Sequence, residues 1–221
     1  MLIDVVSDTI CPWCFIGKRR LDRALEQRPD IEFDVRWRPF RLDPTVPPQG
    51  IERKAYLKAK FGDGPEVAER GQAIQILGER EGIAFAFDRI TRTPNTTDSH
   101  RLIRWAGTIG VQDTVVEELF AAYFEQGRDI GDVGVLEWVA AQAGMDVDLV
   151  HDLLGQDADR DLVAREDELA HRMGIKGVPA FIFANKYLRS GAQDTEAFLR
   201  VIEKIEEAPE DAQLDAPPPE L

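Results

Sequence analysis

The sequence predicts an α/β protein whose sheet domain is split along the chain. A βαβ unit opens it, a ββα unit closes it, and an all-helical subdomain is inserted between the two. Three observations carry this prediction. Ile31, Phe33, Val35 and Trp37 alternate with Glu32, Asp34, Arg36 and Arg38, the period-two mark of a strand buried on one side. From Ile51 to Met173 the chain reads instead as successive amphipathic helices. Strand chemistry then returns in Ala180 to Phe183 and in Tyr187-Leu188, joined by a turn at Asn185 as in a β-hairpin. A length of 221 residues suits one compact domain with a large insertion, divided as 1–44 plus 175–205 for the sheet domain and 45–174 for the helices.

Each element has its own warrant. Leu2 to Val6 is a short apolar run of strand type, followed by a turn at Ser7-Asp8-Thr9. Helical spacing begins by Phe15: Ile16, Leu21, Ala24 and Leu25 share one face, Lys18, Arg19 and Arg20 fall mostly on the other, and Arg28-Pro29 ends the helix. Strand, crossover helix and strand form a right-handed unit, so the first two strands are expected to pair in parallel. Pro44, Pro47, Pro48 and Gly50 make a loop. Within the insertion, Leu102, Ile103, Trp105 and Ala106 mark one helix, and Val115, Val116, Leu119, Phe120, Tyr123 and Phe124 a second. Leu136, Val139, Ala140 and Ala143 mark a third; Leu162, Val163, Leu169, Ala170 and Met173 mark a fourth, with Glu166 at the edge of its stripe. Ile83 to Phe87 reads as a small strand or an extended loop. A last helix places Phe198, Ile202 and Ile205 at i, i+4 and i+7.

Composition narrows the function. Hydrophobic residues make up 43% and charged ones 31%, which is globular, and 41 acidic against 27 basic residues give a net charge of −14. That excess repels phosphate backbones and anionic lipid surfaces, so neither nucleic acid nor membrane is expected as a partner. Segment 206–221 holds six acidic residues and four prolines without Lys or Arg, and is expected to be a disordered, solubilising tail. No run approaches the ~18 apolar residues of a membrane span. The opening MLIDVVSDTIC lacks the basic and apolar regions of a secretory signal, which makes the expected location cytoplasmic. In that compartment a cysteine pair is usually catalytic or redox-sensing rather than structural.

The two cysteines stand as Cys11-Pro12-Trp13-Cys14 between a strand and a helix. The unpaired N–H groups of a helix N-terminus stabilise an anion, which makes Cys11 the expected nucleophilic thiolate. Cys14, three residues on, shares the same face of the first turn and is expected to be the more buried, resolving thiol. Pro12 suits a first turn, where its missing N–H costs nothing. Trp13 is either an outward-facing substrate platform or a cover over the core. A zinc site needs two further ligands, and His100, His151 and His171 form no close pair, so no metal is expected. Two inert buried thiols are the other plain reading; the strand before and the helix after favour thiol chemistry.

Taken with Gly177-Val178-Pro179 ahead of the hairpin and the long helical insertion, the CPWC motif resembles the DsbA-like branch of the thioredoxin fold, over residues 2 to 205. More narrowly, Trp37-Arg38-Pro39-Phe40, Pro94-Asn95-Thr96, His100-Arg101-Leu102 and Ser190-Gly191-Ala192-Gln193 are similar to the FrnE-type cytosolic group. That group comprises thiol-disulfide oxidoreductases or isomerases related to kappa-class glutathione transferases and hydroxychromene-carboxylate isomerases. The resemblance implies a cis bond at Val178-Pro179 facing the cysteines, with the Val178 backbone presented to a substrate strand. It also implies glutathione contacts near the start of the last helix, at Ala192 and Gln193, while Asp194 is equally read as a helix N-terminal residue. Asp8 is a candidate for proton transfer from Cys14, against a turn or capping role. Asn95 and His100 are candidates for lining the groove, against a turn and a solvated helix position respectively. His151 and His171 read as surface residues.

The function expected on these grounds is a dithiol-disulfide oxidoreductase in which Cys11 attacks a substrate disulfide and Cys14 resolves the mixed disulfide. Its substrate is a disulfide-containing protein or a small thiol; glutathione is the candidate redox partner, and no other cofactor is implied. The rival enzyme reading is a glutathione-dependent transferase or isomerase of small organic electrophiles, which has no need of Cys14. A redox-sensing adaptor is the non-enzymatic alternative, and exposed helices leave a homodimer open.

Overall fold

The computed structural model describes residues 1–207. Its main sheet has four strands in the order β2-β1-β5-β6, with β1 spanning Leu2–Ser7, β2 Asp34–Pro39, β5 Ala180–Phe183 and β6 Tyr187–Ser190. As expected, β1 and β2 are parallel, pairing Leu2 with Asp34 through Ser7 with Pro39. The hairpin strands β5 and β6 are antiparallel to one another, and β5 lies antiparallel to β1. Strand β1 is central and buried on both faces, which explains its near-continuous apolar run. Strand β2 is an edge, and its outward residues Asp34 and Arg36 are exposed while Trp37 is buried. Part of that edge is closed by a side chain: Gln112 Oε1 accepts the Trp37 N–H at 2.8 Å.

Helix α1 (Pro12–Glu26) packs Phe15, Ile16, Leu21 and Ala24 inward. It runs two residues short of the Arg28-Pro29 stop. Contrary to the expected outward face, Lys18 is buried, because a helix of the insertion covers that side of α1. Its ammonium reaches Asp22 at 2.8 Å and Asp113 at 3.0 Å.

The insertion holds α2 (Arg53–Phe61), α3 (Pro65–Arg80), α4 (Thr97–Gly107), α5 (Gln112–Phe120), α6 (Val133–Gln142), α7 (Val147–Leu154) and α8 (Arg160–Arg172). Helix α5 continues into a π-helical turn at Ala121–Glu125. The stretch Ile83 to Phe87 is an extended loop that ends in a short 3-10 turn, Phe87–Arg89. A two-residue ladder, β3 (Ile51–Glu52) with β4 (Arg92–Thr93), had no signal in the sequence. The apolar stripe expected on α8 is present, and beside it Asp167 is buried, accepting from the Arg41 backbone N–H at 2.8 Å and its Nε at 2.9 Å.

Sheet domain and insertion share one core. Phe15 of α1 stacks on Phe120 of α5 at 5.1 Å between ring centroids, and Phe85 and Phe124 complete the aromatic cluster. Each such buried ring stabilises the fold by roughly 1.5–3 kcal/mol relative to exposure, and the insertion is anchored both here and on β2, against which α4, α5 and α8 pack. Ala170 of α8 packs with Val6 and Ala180 on one face of the sheet. Helix α9 (Thr195–Glu207) lies beside α1 on the opposite face, where Phe198 meets Phe181 and Phe183 and Val201 and Ile202 are buried. Glu206 and Glu207, assigned by sequence to the tail, instead finish this helix; residues 208–221 of the tail lie outside the described residues.

Candidate active site

Strand β1 ends at Ser7, and the chain turns through Asp8, whose carbonyl accepts the Cys11 N–H at 3.0 Å. This turn sets Cys11 at the N-cap of α1 with extended backbone angles, Pro12 in the first turn and Cys14 at the third helical position. The Cys14 N–H donates to the Cys11 carbonyl at 3.0 Å. An N-cap side chain faces the unpaired N–H groups of the first turn, the place where a negative sulfur is best stabilised. Here Cys11 does not cap; its thiol donates to the Val178 carbonyl at 3.6 Å.

Both cysteines are free thiols and both are buried, Cys14 the more deeply. Burial pushes the Cys14 thiol well above its ordinary pKa, and the adjacent Cys11 raises it further; the Ser7 side chain and the Asp8 backbone pull only partly the other way. The two sulfurs therefore have different surroundings, one at the mouth of a helix and one sealed behind it.

The Val178-Pro179 peptide bond is cis. Pro179 approaches α1 closely because position 17 is glycine: a Cβ there would lie 3.0 Å from Pro179 Cγ and 3.0 Å from Phe181 Cζ. Pro12, Trp13, Val178 and Pro179 thus gather around Cys11. Trp13 is 38% exposed, so it faces solvent beside the thiol and does not cover the core.

The remaining candidates have partners within the fold, and the loop carrying Ala192 and Gln193 reaches the site through the Gly191 N–H, which donates to the Pro179 carbonyl at 2.7 Å. Asn95 uses both ends of its amide inside the fold: Nδ2 donates to the Val46 carbonyl at 2.6 Å, and Oδ1 accepts the Thr97 N–H at 3.0 Å. The Ala192 carbonyl accepts from Arg20 Nη1 at 2.8 Å, and Gln193 Nε2 donates to the Ser190 carbonyl at 2.6 Å. Asp194 caps α9 by accepting the Ala197 N–H at 2.8 Å, so the anion-binding end of that helix already faces a carboxylate. His151 and His171 are exposed, as expected.

His100 is not a solvated helix residue. It is 4% exposed on the buried face of α4, with Nε2 3.5 Å from Oδ1 of the fully buried Asp8. Asp8 does not cap α1; its Oδ2 accepts the Leu42 N–H at 2.7 Å. The sequence did carry a signal for His100, since it shares an i, i+3 stripe with Ile103 and continues to Ala106. Ser7 escaped notice because it reads only as part of a turn.

A cleft of about 710 Å³ lies behind this pair, between β2 and helices α4, α5 and α8. Ser7, Thr9, His100, Trp37, Arg38 and Arg104 help to line it, and neither cysteine does. Among the described residues, no group of three or more His, Cys, Asp and Glu side chains is placed to hold a metal ion.

A model of the DsbA-like thioredoxin domain matches residues 2–203. The chain belongs to that family. A DsbA-like crystal structure from Streptomyces coelicolor, the probable DsbA oxidoreductase SCO1869, is 30% identical with a TM-score of 0.85, covering 98% of this chain and 94% of that one. The Bacillus subtilis protein YwbO, itself uncharacterized, is 27% identical over 204 residues, 90% of this chain and 94% of the relative. The cytosolic disulfide reductase DsbM from Pseudomonas aeruginosa, solved with GSH, has the same fold at 18% identity and a TM-score of 0.65, covering 94% of this chain and all of its own. The DsbA-like fold explains why one sheet is built from the two ends of the chain: it brings Cys11 and Val178 together across 167 positions. Among the described residues, no helix of this DsbA-like chain is long and apolar enough to cross a membrane.

Proposed function

We propose that this protein is a thiol-disulfide oxidoreductase that cycles Cys11 and Cys14 between a dithiol and an intramolecular disulfide. The observation that carries the reading is the asymmetry of the pair. Cys11 sits at the α1 N-cap beside an exposed Trp13, whereas Cys14 is sealed beneath it with a raised pKa. Cys11 attacks a substrate disulfide and forms a mixed disulfide, expelling one substrate thiolate. Cys14 then loses its proton and attacks the Cys11 sulfur; the second substrate sulfur leaves, and the protein holds the Cys11-Cys14 disulfide. The substrate class is a disulfide-bearing protein or small molecule, handled in the cytoplasm, with glutathione as the redox partner that resets the pair.

The test is an equilibrium titration against glutathione redox buffers, counting free thiols and glutathione adducts by mass after rapid alkylation. A two-electron conversion between dithiol and internal disulfide is the expected result, and its midpoint fixes the favoured direction. An adduct on Cys11 alone, or no oxidation across the range, would overturn the dithiol cycle and favour glutathione-dependent chemistry on small organic substrates. Cys14→Ser separates the two: it stops the cycle and leaves the latter chemistry intact.

A further inference from the structure

We propose that the open edge of β2 is a docking strip for the polypeptide that carries the substrate disulfide: an extended, basic segment of that chain adds to the sheet in the cleft. The proposal rests on the thiol-disulfide reading above and selects a protein chain over a small molecule as the substrate.

The two ends of β2 fix which way its main chain faces. The Asp34 N–H donates to the Met1 carbonyl at 2.9 Å, and the Phe40 N–H to the Ser7 carbonyl at 3.0 Å, both toward β1. Peptide groups alternate sides along a strand, so Phe33, Val35, Trp37 and Pro39 turn theirs away from β1. Pro39 therefore stands where its missing N–H costs no ladder bond. The whole stretch from Phe33 to Pro39 lines the cleft of about 710 Å³, which makes this edge one of its walls.

Gln112 shows what the wall accepts. Its Oε1 accepts the Trp37 N–H at 2.8 Å and its Nε2 donates to the Trp37 carbonyl at 3.4 Å, the two bonds that a residue of a neighbouring strand would make. Among the described residues, Phe33 and Val35 have no such cover on their outward side. A row of main-chain donors and acceptors along a cleft is matched by another extended main chain, the mode of strand addition.

Side chains select the occupant. Residues paired across strands share one face, so a residue opposite Val35 meets the apolar side formed by Phe33, Val35 and Trp37, while its neighbours meet Asp34 and Arg36. The cleft holds four carboxylates, Asp34, Asp113, Asp159 and Glu166, against the guanidinium groups of Arg36, Arg38 and Arg104. Arg38 is committed further to Asp4 at 2.7 Å, and Asp34 and Asp113 are exposed. The matching segment has an apolar residue flanked by Lys or Arg. The chain's own residues 208–221, with Glu210, Asp211, Asp215 and Glu220 and no Lys or Arg, carry the wrong charge. A symmetric pairing of two copies about Val35 would set Phe33 of one against Trp37 of the other, where Gln112 already stands.

The strip is within reach of the reacting thiol. Ser7 and Thr9 line the same cleft, and Thr9 precedes Cys11 by two positions. At ~3.3 Å per residue, a chain anchored at Val35 passes the end of β2 in about four residues, so a cystine roughly six to eight residues from the anchor reaches Cys11.

The probe is a short cysteine-free peptide alternating Lys with Val or Ile, compared with its Glu-for-Lys counterpart. With the basic peptide, amide exchange at Phe33 and Val35 of the full-length wild-type protein is expected to slow at least about tenfold, and with the acidic one to stay unchanged. Val35→Pro removes an outward N–H and no ladder bond. It should bind the basic peptide at least about tenfold more weakly and lose a similar factor in kcat/KM on a disulfide-bearing protein with such a segment. Its turnover of a small aromatic disulfide should stay within about twofold of wild type. A photoreactive benzoylphenylalanine at position 36 identifies the occupant: a crosslink to the peptide supports the proposal, and one to residues 208–221 or to a second copy overturns it. Unchanged exchange at Val35, or equal slowing by both peptides, overturns it in wild type without recourse to a variant. Wild-type protein that turns over neither the protein disulfide nor the small one overturns the thiol-disulfide reading instead.

Discussion

The Cys11 thiol donates to the Val178 carbonyl at 3.6 Å, while Cys14 lies behind it at the third position of α1. Nucleophile and resolving thiol are therefore distinguished by depth as well as by order along the chain. Iodoacetamide at neutral pH is expected to modify Cys11 at least about tenfold faster than Cys14, because the alkylating species is the thiolate and Cys14 is held protonated. Peptide mapping after timed quenching gives the ratio. Equal rates at the two positions would contradict the asymmetry.

The raised pKa of Cys14 also makes a stability prediction. Below about pH 8.5, the ordinary thiol value, both folded and unfolded states keep the proton and Cys14 contributes no pH dependence. Above it the unfolded thiol ionises while the buried one does not, so the folded state binds more protons and stability falls as pH rises. The reduced protein should lose up to about 1.4 kcal/mol per pH unit through this group. Urea unfolding from pH 8 to 10 should show a shallower decline in Cys14→Ala than in wild type; parallel slopes would remove Cys14 as the cause.

Lys18 supplies a second electrostatic test. Its burial works to lower its pKa, but Asp113, Asp22 and Glu117 outweigh that and raise it. Asp22 is also raised, first by burial and then by the neighbouring Asp113 and Glu117, which oppose the help it gets from Lys18. Lys18, together with Arg19 on Glu117, faces three carboxylates with two positive charges. Lys18→Met should destabilise by about 1.5–3 kcal/mol, the range for hydrogen bonds to charged groups, since half-buried Asp22 and exposed Asp113 lose their ammonium partner. Asp22→Asn, which relieves the excess, should change stability by less than about 1 kcal/mol. Denaturant midpoints of the two variants settle this, and equal losses would mean that the charge count is not what governs the cluster.

How far the sequence was readable follows from the same residues. Period two over Ile31 to Trp37 and the apolar run of β1 identify strands because their burial is dictated by the sheet alone. Cys11 and Cys14 are legible because helix position by itself gives them different chemistry. Lys18 and Asp167 were not, since each is a charged residue buried by a partner distant in sequence, Asp113 in one case and Arg41 in the other. His100 belongs to the same class. Its stripe on α4 is readable, but its partner Asp8 lies 92 positions earlier, and only the packing of α4 under the turn makes the two meet. Helix α3 falls within the helical run read from Ile51 to Met173 but was not marked individually, for the opposite reason: Val67, Ile74 and Leu77 are only half-buried and Ile76 is exposed, so it has no strong apolar stripe to read.

That weak packing makes α3 depend on Glu81, the residue at its C-terminus. Glu81 is largely buried and receives Arg20 Nε at 2.6 Å and Arg23 Nη2 at 2.8 Å, both from α1. Burial alone would raise its pKa, but the two guanidinium groups outweigh it and hold the carboxyl below its ordinary range. A depressed carboxylate contributes stability above the unfolded value of about 4.3, and that contribution is lost as pH falls through the lower folded value. Glu81→Gln should cost about 1.5–3 kcal/mol, the range for charge-assisted hydrogen bonds, and should loosen α3 from α1 before the rest of the fold yields. Hydrogen exchange, expressed as protection factors, is the measurement: α3 amides should lose protection in wild type on acidification below pH 4 and in Glu81→Gln already at pH 7. Unchanged α3 protection in the variant at pH 7 would show that Val67, Ile74 and Leu77 hold this helix without the ion pair.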